Sequence, residues 1–429
     1  MQRREFLSKA ALGTAAAVEL VSASTSLGAN KNSASGSGQK NPLTARDYLK
    51  SILYRREEVE QWLAEKAFPF AKYSSKFGWL LRDARFLDGI DGAINTYTYG
   101  PLDERIMIHY RDRPCRINTY GNSYTQCHQV SDAETWQEVL AGHLEEPIRN
   151  FGVGGWSVYQ AYLRLLKEEQ RAPAQFIIFN IYQDDHFRNL DAWRNIRVKK
   201  QERFIEPTLP YVEVNVEAGR FVEKPNPCPT LESVYQLCDP NWVINRFKDD
   251  FALGIMLAHA NAKNANPEQA YKDTMKLATT HGILTRVDTG KELSLTADAI
   301  HQRAAYYSSE RIIEKVEAFA REHKKQVLYV LSYPAQYIAR YVTEGLRPDQ
   351  PFVEFMQRKG LPVADLLQAH VDEFQRYKGD IKDYLKQYFV GHYNPRGNVF
   401  TAFILKDRLV QMLDPKPRPY RPEPGIMKM

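Results

Sequence analysis

Arg116–Tyr159 reads RINTYGNSYTQCHQVSDAETWQEVLAGHLEEPIRNFGVGGWSVY. It opens on a short β-favouring run, Arg116 to Tyr120, that stops at Gly121-Asn122-Ser123. Trp136, Val139, Leu140 and Leu144 then recur at helical spacing, and a second short strand is predicted around Ile148 to Phe151. That strand ends in Gly152-Val153-Gly154-Gly155, and a further amphipathic helix begins near Trp156. Two consecutive strand ends therefore carry a glycine-flanked serine and a glycine cluster. In an open parallel sheet such ends converge on one crevice, the usual place for a site. Glycine before Ser123 permits a tight turn that exposes the hydroxyl, and glycine at 154 and 155 leaves backbone N–H groups approachable.

Working outward, Phe176 to Tyr182 is a continuous apolar run, the pattern of a strand buried on both faces. It ends in Gln183-Asp184-Asp185-His186. Further strands are predicted over Gln326 to Ser332 and Gly360 to Leu366, with helices over Ser308–His323, Ala335–Gly345, Leu366–Tyr377 and Arg396–Leu413. The fold class is α/β, a three-layer doubly wound parallel sheet. Residues from about 188 to 303 read as an insertion. Within it Tyr211–Val216 and Arg220–Glu223 form a hairpin around Glu217-Ala-Gly219, and helices follow near Trp242–Ala260 and Pro267–Thr279. Tyr211, Phe221 and Trp242 are read as core of this insertion, with ligand contact as the alternative. Ahead of the sheet, Thr44–Ala67 is amphipathic and helical, and Ile106–Tyr110 is strand-like. The aromatic residues between them are expected to cover the first strand.

The 429 residues are 43% hydrophobic, enough for a substantial core, and carry a net charge of +6. No stretch is long enough for a membrane helix, so no stable membrane insertion is expected. No Lys/Arg stripe interleaves with aromatics, which excludes nucleic acid as an expected partner. Arg3-Arg4 ahead of Phe6-Leu7 and the weakly apolar run Ala10–Val18 resemble a twin-arginine export signal. That reading makes 1–29 a signal peptide, 30–43 a flexible linker and 44–429 one domain. It also makes the twin-arginine export machinery a partner and the location periplasmic or secreted. The four cysteines contain no CxxC pair, so no zinc site is expected. Cys228 and Cys238 are the best local pairing in an oxidising compartment, and Cys115 and Cys127 read as buried thiols or a second pair. Asp184, Asp185 and His186 invite a metal-site reading, but adjacent residues rarely all face one ion, and no such site is expected here.

Three blocks together resemble the SGNH/GDSL hydrolase family: Gly121-Asn122-Ser123, Asn150 to Gly155, and Gly391-His392-Tyr393-Asn394-Pro395-Arg396-Gly397 before the last helix. The resemblance spans the chain after the leader and implies an SGNH, flavodoxin-like sheet with an inserted segment. It implies Ser123 as nucleophile and His392 as its base, with His186 and His128 as rivals for that role. The oxyanion hole would use the N–H groups of Ser123 and Gly155, with a third donor at Gln183 or Asp184. An ionised carboxylate at 184 cannot donate. Asn122 is expected to brace the turn. The family's acid two or three residues before the histidine is missing, since Phe389 and Val390 stand there. Asp383 or Asp380 could replace it, but the spacing favours a backbone carbonyl that fixes the tautomer, a Ser–His dyad. The implied activity is ester hydrolysis without cofactor or metal, on acyl groups such as acetate carried by carbohydrate. The alternatives are O-acyl transfer to a glycan and a catalytically silent glycan-binding protein.

Overall fold

The computed structural model describes residues 41–64, 70–198, 207–264, 266–284 and 291–421. The leader and most of the linker lie outside these. The described chain opens with α1 (Ala45–Ser51) and α2 (Arg56–Leu63). Where one helix was expected there are two, because Glu58 accepts the Arg55 N–H at 2.7 Å and caps a new start. Two hairpins follow, β1 (Ala71–Ser74) with β2 (Gly78–Leu81) and β3 (Ala84–Leu87) with β4 (Ile94–Tyr97). The run 106–110 is not a strand. Its Ile108 and His109 N–H groups are taken by the Glu138 carboxylate instead.

The sheet itself begins at β5 (Ile117–Tyr120), which runs into the one-turn α3 (Ser123–Gln126). Then come α4 (Trp136–Leu144), β6 (Arg149–Asn150), α5 (Val158–Arg171), β7 (Phe176–Tyr182) and the short α6 (Asp185–Arg188). The insertion holds β8 (Tyr211–Asn215), β9 (Arg220–Lys224), α7 (Pro240–Phe247), α8 (Phe251–Lys263) and α9 (Pro267–His281). It feeds α10 (Lys291–Glu322), a single helix of 32 residues, so a boundary at 303 falls inside continuous helix. After it come β10 (Gln326–Ser332), α11 (Ala335–Glu344), α12 (Gln350–Arg358), β11 (Val363–Asp365), α13 (Leu366–Phe374), α14 (Ile381–Lys386) and α15 (Pro395–Met412).

The five sheet strands are all parallel, in the order β11-β10-β7-β5-β6. The chain therefore starts at β5, steps outward to β6, then reverses past its origin to β7. Right-handed crossovers in opposite directions put their helices on opposite faces. Accordingly α4 packs with α15, while α5 packs with α10. The reversal leaves a crevice at the carboxyl ends of β5 and β7, the switch point of such sheets. β7 is buried along its whole length, which explains its unbroken apolar sequence.

Two satellite cores frame this sheet. One joins Tyr48, Leu49, Val59 and Trp62 to Trp193, Tyr211, Val243 and Phe247, so the N-terminal helices pack on the insertion. Tyr211 is thus core, and Trp242 and Phe221 are half-buried against core residues. The other joins Phe77, Trp79, Leu80 and Leu81 to Val153 and Trp156. The aromatics of the first hairpin therefore cover the glycine loop rather than the first strand. All four cysteines are free, Cys228 included, so the expected pairing with Cys238 is not made.

Close packing of the two strand-end loops is the feature that shapes the crevice. A Cβ on Gly152 would sit 2.2 Å from the Gln126 backbone nitrogen, whereas one on Gly142, exposed in α4, would meet nothing within 4 Å. Gly152→Ala is therefore expected to lose roughly 1–3 kcal/mol by overpacking. Gly142→Ala should gain about 0.5–1 kcal/mol from helix propensity and unfolded-state entropy. Urea unfolding of the two variants checks this; equal stabilities would contradict the packing described.

Candidate active site

Gly121 adopts φ +151°, and a Cβ there would lie 2.3 Å from Thr125 Oγ1 and 2.6 Å from the Asn180 carbonyl. Only glycine lets β5 turn this sharply into α3. Asn122 caps that turn: its Oδ1 accepts the Tyr124 N–H at 2.8 Å and its Nδ2 donates to Asp185 Oδ2. Ser123 thus begins a helix, where its own N–H has no intrahelical acceptor.

His392 reaches the serine from the loop between α14 and α15. Its Nε2 lies 2.8 Å from Ser123 Oγ. That loop is held from behind: Asn394 caps α15 by accepting the Gly397 N–H at 2.9 Å, and the Tyr393 hydroxyl lies 2.9 Å from the Nε2 of buried His370. Tyr124 packs against the His392 ring and stacks on Tyr182, a wall that keeps the imidazole in place.

The group behind His392 is neither an aspartate nor a backbone carbonyl. It is the side-chain oxygen of Gln129, which accepts the His392 N–H at 2.6 Å and lies 3.3 Å from Nδ1. A backbone N–H can only donate, so this atom is the amide oxygen. The Gln129 nitrogen meanwhile donates to the Asp88 carbonyl at 3.1 Å, which fixes the same orientation independently. Facing an acceptor, Nδ1 carries the proton, and Nε2 offers its lone pair to Ser123. Asp380 and Asp383 do not take part. Asp380 caps α14 by accepting the Asp383 N–H at 2.9 Å, and both aspartates are exposed there.

Gln129 is itself positioned by an unusual loop. Cys127 and Gln129 have φ of 61° and 73°, left-handed values that cost non-glycine residues energy and need support. Arg105, 1% exposed, supplies it. Its guanidinium donates to the carbonyls of Gln126 and Cys127 at 2.7 Å each and to that of Val130, and pairs with Asp132 at 3.0 Å. A buried charge with this many acceptors is compensated rather than costly.

The glycine loop borders the serine from the other side. A Cβ on Gly154 would come within 3.6 Å of Ser123 Cβ. The Gly154 N–H is used by Gln126 Oε1 at 2.8 Å. The Gly155 N–H, at φ +79°, has no hydrogen-bond acceptor among the described residues. Trp79 lies against this loop and donates its indole N–H to the Gly154 carbonyl at 3.2 Å.

The β7 end is committed elsewhere. Asp184 pairs with Arg188 at 2.8 Å and Arg197 at 2.9 Å. Burial alone would raise its pKa, but Arg197, Arg188 and Arg194 outweigh that and hold it below the usual carboxylate range. It is therefore ionised and donates nothing. The Gln183 side-chain oxygen is buried with no hydrogen-bond partner among the described residues, and an amide oxygen can only accept. His186, buried between Tyr306 and Phe352, bonds Ser309 Oγ through Nδ1 at 2.8 Å, and burial pulls its pKa down to about 3. It is a packed neutral imidazole. No group of three or more His, Cys, Asp or Glu side chains among the described residues is arranged to hold a metal.

Arg105, Gln129 and Trp79 escape a reading of the sequence alone. The one available signal for Gln129 was its place six residues after Ser123 in the decisive stretch. No protein-family model matches the chain, and no curated protein matches it. Among solved structures, an acetyl xylan esterase is similar at 12% identity with a TM-score of 0.33, over 68% of this chain and 99% of that one. A likeness this remote does not place the chain in that protein's family.

Burial, with His128 and Arg188 adding to it, holds the His392 pKa well below its usual 6.5. The imidazole therefore stays neutral and basic at pH values where a surface histidine has taken a proton. Any Ser123-dependent rate should accordingly keep its plateau to below pH 6.5. Gln129→Glu puts a negative charge beside Nδ1–H and favours the cation, so the acidic limb of kcat/KM should move to higher pH. Gln129→Ala, which frees the ring, should lose about 10–100-fold in kcat/KM with the fold intact. A limb unmoved in Gln129→Glu would contradict the contact.

Proposed function

We propose that the chain is a serine ester hydrolase of SGNH type, acting on small acyl groups such as acetate, with Ser123 as nucleophile and His392 as base. The observation that carries this reading is the 2.8 Å approach of a neutral imidazole nitrogen to a serine hydroxyl at the switch point of a parallel sheet. In this reading His392 Nε2 takes the Ser123 proton as Oγ attacks the ester carbonyl. The Ser123 and Gly155 N–H groups receive the developing oxyanion, each donor being worth about 3 kcal/mol. The proton then passes from Nε2 to the departing alcohol oxygen, leaving an acyl-serine. Water attacks that ester and gives a proton to Nε2, which passes it to Ser123 Oγ as the carboxylic acid departs.

Gln129 takes the place of the usual acid in this scheme. Exchanging the acid for an amide in a serine triad costs about 10⁴-fold where the wrong tautomer results. Here the amide presents oxygen to Nδ1, so the tautomer is right and only the counter-charge is lost. That loss favours a second reading, in which the slow acyl-enzyme passes its acyl group to a glycan hydroxyl instead of water. A silent glycan-binding role would leave the serine–imidazole contact without a purpose.

The domain reading is proposed alongside: a leader at 1–29, a linker at 30–43, and one hydrolase domain at 44–429 carrying an insertion. Export to the periplasm or outside rests on Arg3 and Arg4, and precursor retained in the cytoplasm on their change to lysine tests it. For the chemistry, an active-site phosphonate should label Ser123 and no other serine. Ser123→Ala should abolish both labelling and acetate release from p-nitrophenyl acetate. Label on another serine, or release that survives in Ser123→Ala, overturns the assignment.

A further inference from the structure

A second imidazole stands beside the serine. His128 donates its backbone N–H to the Ser123 carbonyl at 3.0 Å, and its ring meets His392 edge to face with centroids 5.0 Å apart. The left-handed residues on either side, Cys127 and Gln129, fix the direction in which this side chain leaves the loop. Its ring also packs against Tyr97 at 5.9 Å. Asp88 Oδ2 lies 3.7 Å from His128 Nε2, beyond hydrogen-bond range but close enough to favour a proton on that nitrogen.

Several polar side chains around the dyad are taken. Asn122 is held by Asp185, Gln126 by Gly154 and Tyr99, Gln129 by Asp88 and His392, and Asp184 by two arginines. His128 differs: its side chain keeps 30% of its surface open, and neither ring nitrogen has a hydrogen-bond partner among the described residues or is sealed from solvent. With the proton on Nε2, Nδ1 is an acceptor, and an acceptor at a site is matched by a donor on the ligand. The acyl half of a simple ester carries no donor. A hydroxyl on the alcohol half does.

We propose that His128 is a specificity residue, accepting a hydrogen bond from a free hydroxyl next to the scissile ester, so that the substrate is a partly acylated polyol or sugar. This rests on the Ser123–His392 reading and adds the chemical class of the alcohol. A site built to bond a hydroxyl rejects an analogue without it far more strongly than an apolar pocket rejects an added group. In this proposal the Asp88 carboxylate sets the proton on His128 Nε2, while its backbone carbonyl separately holds Gln129.

The test compares three acetate esters: a monoacetylated methyl glucoside with a free neighbouring hydroxyl, its deoxy analogue lacking that hydroxyl, and p-nitrophenyl acetate. Wild type should prefer the hydroxylated sugar ester over the deoxy one by roughly 10–100-fold in kcat/KM. His128→Phe keeps ring packing on His392 and Tyr97 but removes both nitrogens. It should erase that preference, mainly through KM, and should lose at least ~10-fold more on the hydroxylated ester than on p-nitrophenyl acetate. His128→Asn, whose amide oxygen falls near the Nδ1 position, should restore part of the preference. Equal losses on all three esters would mean a packing role only and would overturn the proposal. So would a wild type that does not distinguish the hydroxylated from the deoxy ester, which needs no variant to fold. Ser123→Ala on p-nitrophenyl acetate reports separately on the underlying chemistry.

Discussion

One amide oxygen governs the geometry of the crevice. Gln129 Oε1 touches His392 at its backbone N–H and its Nδ1, so the loop and the ring are aligned by the same atom. Were the amide reversed, its nitrogen would face a backbone N–H, donor against donor, and its oxygen would face the Asp88 carbonyl. The orientation is therefore set twice over, and with it the tautomer that turns the Nε2 lone pair toward Ser123. Because the partner is neutral, nothing in it draws a proton onto the imidazole, and burial pushes the same way. The arrangement favours a base that is available over a wide pH range, at the expense of a stabilised imidazolium.

The rest of the fold can be read as support for that contact. The glycine turn delivers Ser123, the capped loop before α15 delivers His392, and both depend on the strand order that brings the β5 end beside the β7 end. The hairpins that precede the sheet are not peripheral. They supply Trp79 against the glycine loop, the Tyr97 hydroxyl that accepts the Gln129 N–H at 2.7 Å, and the Asp88 carbonyl; Arg105 lies just beyond them. The Asp184–Arg188–Arg197 network clamps the end of β7, and through Asp185 it reaches Asn122 beside the nucleophile.

Elements governed by local chemistry were legible in the sequence. The apolar run Phe176–Tyr182 announces a doubly covered strand, Gly121 and Gly152–Gly155 announce turns, and Asn394-Pro395 announces a helix start, each from neighbours within a few residues. What was not legible depends on distant partners. The helix predicted from Ser308 is only the second half of α10, whose Ser308 and Ser309 are buried and paired, with Asn189 and, for Ser309, His186. The orienting group was sought near His392 in sequence, but Gln129 lies far upstream in a left-handed loop that exists because a buried arginine gathers its carbonyls. No local pattern encodes that, since Arg105 merely precedes a run, Ile106–Tyr110, that reads as a strand.

That a neutral amide holds His392 as a neutral imidazole protonated on Nδ1 is open to direct observation. A long-range proton–nitrogen correlation spectrum of the histidine rings at neutral pH, with His392 assigned by its loss in His392→Gln, separates the two tautomers and the cation. The Gln129 contact predicts a protonated Nδ1 and an unprotonated Nε2 for His392, and loss of that fixed tautomer in Gln129→Ala. A His392 ring protonated on Nε2, or on both nitrogens at neutral pH, would contradict it.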